Sequence, residues 1–148
     1  MKIVRLRARP LPPQTLPIYA AASLGETFED RLVVLLGKLH IYGKHATAAL
    51  HAHAAMEATL RTEFRRPYPV PVAFEELIGL LEADQRGFRG KAKFVRRLRE
   101  FNVCVQGAPS DWRQFNAEMK PRVKTFLALL RQVLRRFPDS QPTFRGLL

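Results

Sequence analysis

From Thr27 to Phe137 the apolar residues recur at three- and four-residue intervals, and prolines and glycines cut this run into pieces of helical length. Such spacing places one apolar stripe on each piece, and a chain of this kind buries its stripes by packing helix on helix. Alternation of apolar and polar residues, the mark of a half-buried strand, occurs only over 2–11, where Ile3, Val4 and Leu6 stand among Lys2, Arg5, Arg7 and Arg9. Pro10, Pro12, Pro13 and Pro17 follow and exclude helix there. The expected fold is therefore all-α: a bundle of about five helices over residues 26–137, a short extended, Pro-rich basic arm over 1–25, and a loose tail over 138–148.

The expected first helix starts at an N-cap, Thr27, with Glu29 and Asp30 in its first turn, and ends at Gly43. The second covers 44–66, with Leu50, His53, Glu57, Leu60 and Phe64 as its buried stripe, and stops at Pro67, Pro69 and Pro71. A short third helix, 73–84, turns Phe74, Leu77, Ile78 and Leu81 inward and Glu75, Glu76, Glu82 and Asp84 outward. After a turn holding Gly87 and Gly90, the fourth covers 91–106, buries Phe94, Leu98, Phe101, Asn102 and Val105, and stops at Gly107. A last helix, capped by Ser110, reaches Phe137, and Pro121 inside it predicts a kink or break near Lys120.

Charge narrows the partner. The 148 residues hold 25 Lys+Arg against 13 Asp+Glu, a formal net charge of +12, and Arg outnumbers Lys 18 to 7. An excess of this size repels itself and attracts polyanions, and arginine is suited to bidentate phosphate contact. Nucleic acid, RNA ahead of DNA, is the expected partner; an acidic protein is the competing one. The densest basic stretch is Arg86, Arg89, Lys91, Lys93, Arg96, Arg97 and Arg99, with no acid among them, and these seven are the candidate nucleic-acid contacts. Their plainer role is a solvated helix face balanced by the acidic face of the third helix. Arg131, Arg135 and Arg136 read as charge favoured at a helix C-terminus.

No catalytic set announces itself. Cys104 is the only cysteine, which excludes an internal disulfide and a cysteine zinc cluster and fits a reducing, cytoplasmic setting. His40, His45, His51 and His53 lack the i, i+4 pairing of a helical zinc site, so no metal and no cofactor is expected. Residues 1–10 carry basic residues without an apolar segment behind them, unlike a secretory signal, and no apolar run reaches the ~18 residues of a membrane span. Glu57 and Asn102 interrupt apolar stripes. A buried carboxylate needs a partner, and Asn102, an Arg or His53 are the candidates, so an inter-helix tie is expected ahead of a catalytic acid.

The run Ala-Ala-Met-Glu-Ala-Thr-Leu-Arg at 54–61, the short helix Phe-Glu-Glu-Leu-Ile-Gly-Leu-Leu at 74–81, and Arg-Leu-Arg-Glu-Phe-Asn-Val-Cys-Val-Gln-Gly at 97–107 together resemble HEPN-domain proteins. The resemblance covers about residues 27–137 and implies a HEPN-like bundle that dimerises or joins a larger prokaryotic defence, toxin–antitoxin or RNA-processing assembly. HEPN ribonucleases use an R-x(4–6)-H pair, and aligned on Asn102 and Gly107 those two positions hold Phe101 and Gln106. Glutamine is no general acid or base at neutral pH, and phenylalanine cannot stabilise phosphorane charge. The resemblance thus implies a degenerate member, with Glu57, Phe101, Asn102, Gln106 and Gly107 as the remnant motif. Its expected role is a catalytically inactive nucleic-acid-binding or scaffolding subunit. The alternatives are a pure protein-interaction module docking through the N-terminal arm and an atypical ribonuclease using His53, Glu57 and Arg99.

Overall fold

In a computed structural model, which describes residues 28–142, the chain forms six helices and no strand among those residues. They are α1 (Phe28–Ile41), α2 (His45–Glu63), α3 (Phe74–Ala83), α4 (Lys91–Gln106), α5 (Trp112–Met119) and α6 (Val123–Arg136), with a 3-10 turn at Pro138–Ser140. The expected Thr27 cap, the basic arm and the end of the tail lie outside the described residues.

Helix α2 is the axis of the bundle and packs against all five others. Its sequence explains this position. Ala46, Ala48, Ala49, Ala52 and Ala55 are wholly buried, and side chains this small let neighbouring helices approach on several sides. The stripe expected from larger residues is corrected accordingly: Met56, Leu60 and His53 are buried, whereas Leu50 and Glu57 are only half-buried. Leu32 and Leu36 of α1, Leu77 and Ile78 of α3, Leu98 and Phe101 of α4, and Leu130 and Leu134 of α6 complete one core.

Local chemistry sets the corners. Gly43 adopts φ 82°, the Lys44 N–H donates to Leu39 O and the Gly43 N–H to His40 O, so α1 ends in a Schellman turn that needs glycine. The side chain of Asn116 on α5 then closes the start of α2. Its Oδ1 accepts from the Ala46 N–H at 2.8 Å and its Nδ2 donates to Gly43 O at 2.9 Å. Pro121 breaks the last expected helix into α5 and α6. The cap of α5 is Asp111, whose carboxylate accepts from the Arg113 N–H at 2.9 Å, one residue beyond the expected Ser110. Gly107 ends α4 as expected, but at φ −90° and not in the left-handed region.

The chain after Phe137, expected to be loose, is held down where it is described. Ser140 Oγ donates to Glu63 Oε1 at 2.8 Å, Gln141 Nε2 donates to Leu134 O at 3.0 Å, and the Phe137 ring is buried. Among the described residues no helix is long and apolar enough to cross a membrane.

Candidate nucleic-acid interface

The seven basic residues of 86–99 divide by helix geometry into groups with different surroundings. Buried Phe94, Val95, Leu98, Phe101 and Asn102 fix the inward face of α4. Lys93 and Arg97, four residues apart on α4, share one flank, the one turned toward the C-terminal end of α6, and Arg89 in the turn before the helix lines the same hollow. Arg96 and Arg99 lie on the other flank, beside a hollow that also touches Val103, Cys104 and Phe126.

Arg86 and Arg99 are committed to carboxylates. Arg86 pairs with Asp84 and with Glu63, both at 2.8 Å, and its side-chain and backbone N–H bonds hold the Asp84 carboxyl down at about 2. Arg99 bridges Glu75 at 2.8 Å and Glu82 at 2.9 Å, and its hydrogen bond lowers Glu82 below the usual carboxylate range. Lys91 donates to the carbonyls of Asp84 at 2.6 Å and Arg86 at 3.2 Å. Balance by the acidic third helix therefore applies to Arg99 and, through Asp84 at the C-cap of α3, to Arg86.

Arg89, Lys93 and Arg97 are differently placed. With Arg135 and Arg136 of α6 they line an open hollow of about 550 Å³ whose remaining walls are Phe88, Gly90, Phe94 and Gln132. Five cations thus face one concavity and no acid lines it. The Arg136 guanidinium lies 3.8 Å from the centre of the Phe88 ring, and Phe88 meets Phe94 edge-on at 5.7 Å. Arg135 is oriented from behind by Glu29 of α1, with its Nε donating at 2.8 Å and 3.1 Å to the two carboxylate oxygens. Arg131 makes an ion-pair contact with the same carboxylate at 3.1 Å.

The α6 arginines were expected to do no more than complement a helix end; α6 instead brings two of them to the same hollow as the α4 cations. Phe88, Arg135 and Arg136 were missed as site residues. The available signal was Phe88 itself, an aromatic set between Gly87 and Gly90 inside the basic stretch. The approach of residues about forty apart in sequence has no local signature.

The remnant-motif residues do not converge on an opening. Phe101 is wholly buried, 4.0 Å from the Phe126 ring centre and edge-on to His53 at 5.6 Å. Gln106 is exposed and reaches Asn102 Oδ1 only at 3.4 Å. Asn102 Oδ1 instead meets His53 Nε2 at 2.9 Å, a buried tie between α2 and α4. Glu57 is paired not with these but with Arg61, four residues on, at 3.0 Å. Gly107 closes α4, its N–H donating to Val103 O at 2.9 Å.

Among the described residues no group of three His, Cys, Asp or Glu side chains is arranged to hold a metal ion. His40 and His45 nevertheless meet, Nδ1 to Nδ1 at 2.7 Å, and can share only one proton there. Burial first, then His40 and Lys120, lower the affinity of His45 for a proton. With its folded-state pKa below the unfolded value, the unfolded chain binds the proton first, so acid works against folding. The melting temperature is expected to fall between about pH 7.5 and about pH 5.5, and His45→Gln is expected to flatten that slope. Circular-dichroism melts of both chains check this; an unchanged slope in the variant removes His45 as the cause.

The fold and this hollow define an all-helical bundle carrying a concave cationic surface. No family model, curated protein or solved structure matches the chain.

Proposed function

We propose that this protein is a nucleic-acid-binding or scaffolding subunit, a HEPN-like domain lacking the nuclease pair, that holds RNA by its phosphates in the hollow between α4 and α6. The observation that carries this reading is the set of five cations, from α4, the turn before it and α6, that line one hollow with no acid in its lining. Gathering like charges works against folding, and a polyanion relieves the repulsion. Phosphates fit better than isolated carboxylates because the cations spread over two helices and the turn before one of them, and four of the five are arginines. Binding is expected to depend on many phosphate contacts, with affinity falling steeply as salt rises. Fluorescence anisotropy with labelled RNA across a salt series tests it; no binding at low salt removes the RNA-binding reading.

Cleavage is not part of this reading. At position 101 a wholly buried phenylalanine packs on Phe126, and exposed Gln106 has no titratable group to offer. The purified chain is expected to leave structured and single-stranded RNA intact in the absence of metal. Cleavage abolished by His53→Ala or Glu57→Ala would overturn that expectation.

The scaffolding side of the proposal has its own support. Val103 is 68% exposed beside the hollow that touches Cys104 and Phe126, and Trp112 is 52% exposed on α5. Apolar groups displayed in this way favour a protein neighbour. Absence of RNA binding would move the function to this side of the molecule.

A further inference from the structure

The cationic hollow has one wall that phosphate binding does not require. Phe88 is only half-buried, and the Arg136 guanidinium carbon lies over its ring, 3.8 Å from the centre. The same two residues also line a second, smaller hollow of about 120 Å³, whose other walls are Leu81, Phe137, Gly87 and the Asp84–Arg86 ion pair. The Phe88–Arg136 pair is thus a planar partition between two hollows. A guanidinium stacked on a ring keeps its edge donors free for phosphate and offers a flat surface to another planar group.

The charged hollow also continues. Gln132 and Arg135 are shared with a neighbouring concavity of about 440 Å³ that runs along α6 to Arg131 and Lys124. Lys124 in turn lines a third, of about 420 Å³, with Lys120. Arg136 and Lys124 are twelve residues apart on one helix, about 18 Å at 1.5 Å per residue. Cations therefore follow a line, with a planar partition at one end of it.

Resting on the polyanion reading above and narrowing it, we infer that this groove takes a single unpaired strand. One base stacks at the Phe88–Arg136 partition, the adjoining phosphates lie on Arg89, Lys93 and Arg97, and the strand continues along α6. A duplex cannot use the partition, because its bases are already stacked on one another and do not present a face. A single strand can, and its backbone bends to follow the groove.

Three probes of one sequence and length separate charge from stacking: a single-stranded 12-nucleotide RNA, its duplex, and an abasic strand with the same phosphates. At matched salt the single strand is expected to bind roughly tenfold more tightly than the abasic strand, the size of one base stack, and more tightly than the duplex. Phe88→Ala and Arg136→Lys are each expected to lose most of that difference between the single strand and the abasic strand. Arg136→Lys keeps the charge and removes the planar surface, so its salt slope should match the parent's, and it carries the test if Phe88→Ala folds poorly. Equal binding of single and abasic strands, tighter binding of the duplex, or variants indistinguishable from the parent would overturn the single-strand inference while leaving the phosphate reading in place. No binding of any probe at low salt overturns both.

Discussion

Charge reversal at Arg89, Lys93 and Arg97 is expected to abolish measurable RNA binding near physiological salt and to flatten the log–log salt dependence by about one unit for each phosphate no longer neutralised. Lys93 and Arg97 on one flank of α4 and Arg89 in the turn before it line the hollow with Arg135 and Arg136. A glutamate there releases no counterion from the nucleic acid and places a negative charge against the incoming phosphate. The same reversal at Arg86 and Arg99 is expected to act on the fold instead. Arg86 holds Asp84 and Glu63, and Arg99 holds Glu75 and Glu82, so reversing either sets like charges together while the hollow keeps its cations. Anisotropy titrations at several salt concentrations, with thermal melts of each variant, separate the two outcomes. Equal effects of the two groups on the slope would mean that the whole basic stretch acts as a diffuse charge and that the hollow has no special standing.

Different parts of this molecule were legible in the sequence to different degrees. Helices α3 and α4 lie within one residue of their expected bounds at either end because each has a plain apolar stripe between strong breakers. Pro121 announced the α5–α6 break for the same reason. Helix α2 was placed correctly but its buried face was read too narrowly. Its packing is carried by alanines, whose small side chains give little periodic signal, and a helix surrounded by five others has no single inward stripe. The charged stretch of α4 was visible as a block, but its division was not. Whether an arginine faces an acid or an opening depends on the crossing of α3, α4 and α6, and that is set by packing between segments far apart in the chain. The arginines of α6 were seen as a cluster and given to the helix end, because nothing near them in sequence indicates that Phe88 and Arg89 stand opposite.

Polar residues on apolar stripes were the sounder clue: Glu57 has an Arg partner, as expected, but on its own helix and not across two. Asn102 was expected to tie two helices and does, through His53. Glu57 was expected to be buried, but its side chain is 24% exposed and its partner lies on its own helix. The group that matters more there is Arg61, which a sequence reading treats as an ordinary helix-end charge. It is buried, and it reaches across the loop that joins α2 to α3.

Arg61→Leu is accordingly expected to be the most damaging single substitution outside the apolar core, costing about 3–5 kcal/mol. The guanidinium donates through Nη1 to Arg66 O at 3.0 Å and Val70 O at 2.8 Å, through Nη2 to Val72 O at 3.2 Å, and through Nε to Glu57 at 3.0 Å. The Tyr68 ring covers it, with the guanidinium carbon 4.1 Å from the ring centre. One side chain therefore satisfies three loop carbonyls and a half-buried carboxylate, and leucine satisfies none while keeping similar apolar bulk. The unpaired carbonyls and Glu57 each carry a desolvation penalty that water can relieve only if the loop opens. Arg61→Lys is expected to recover only part of the loss, because an ammonium group keeps the charge but cannot reproduce the planar fork. Glu57→Ala is expected to cost less, about 1 kcal/mol, since it removes a partly solvated ion pair and leaves the three carbonyl bonds standing. Urea denaturation of the four chains gives the ranking directly. A loss below about 1 kcal/mol for Arg61→Leu would show that residues 66–72 hold their place without it and that the α2–α3 connection is stabilised by apolar contact instead.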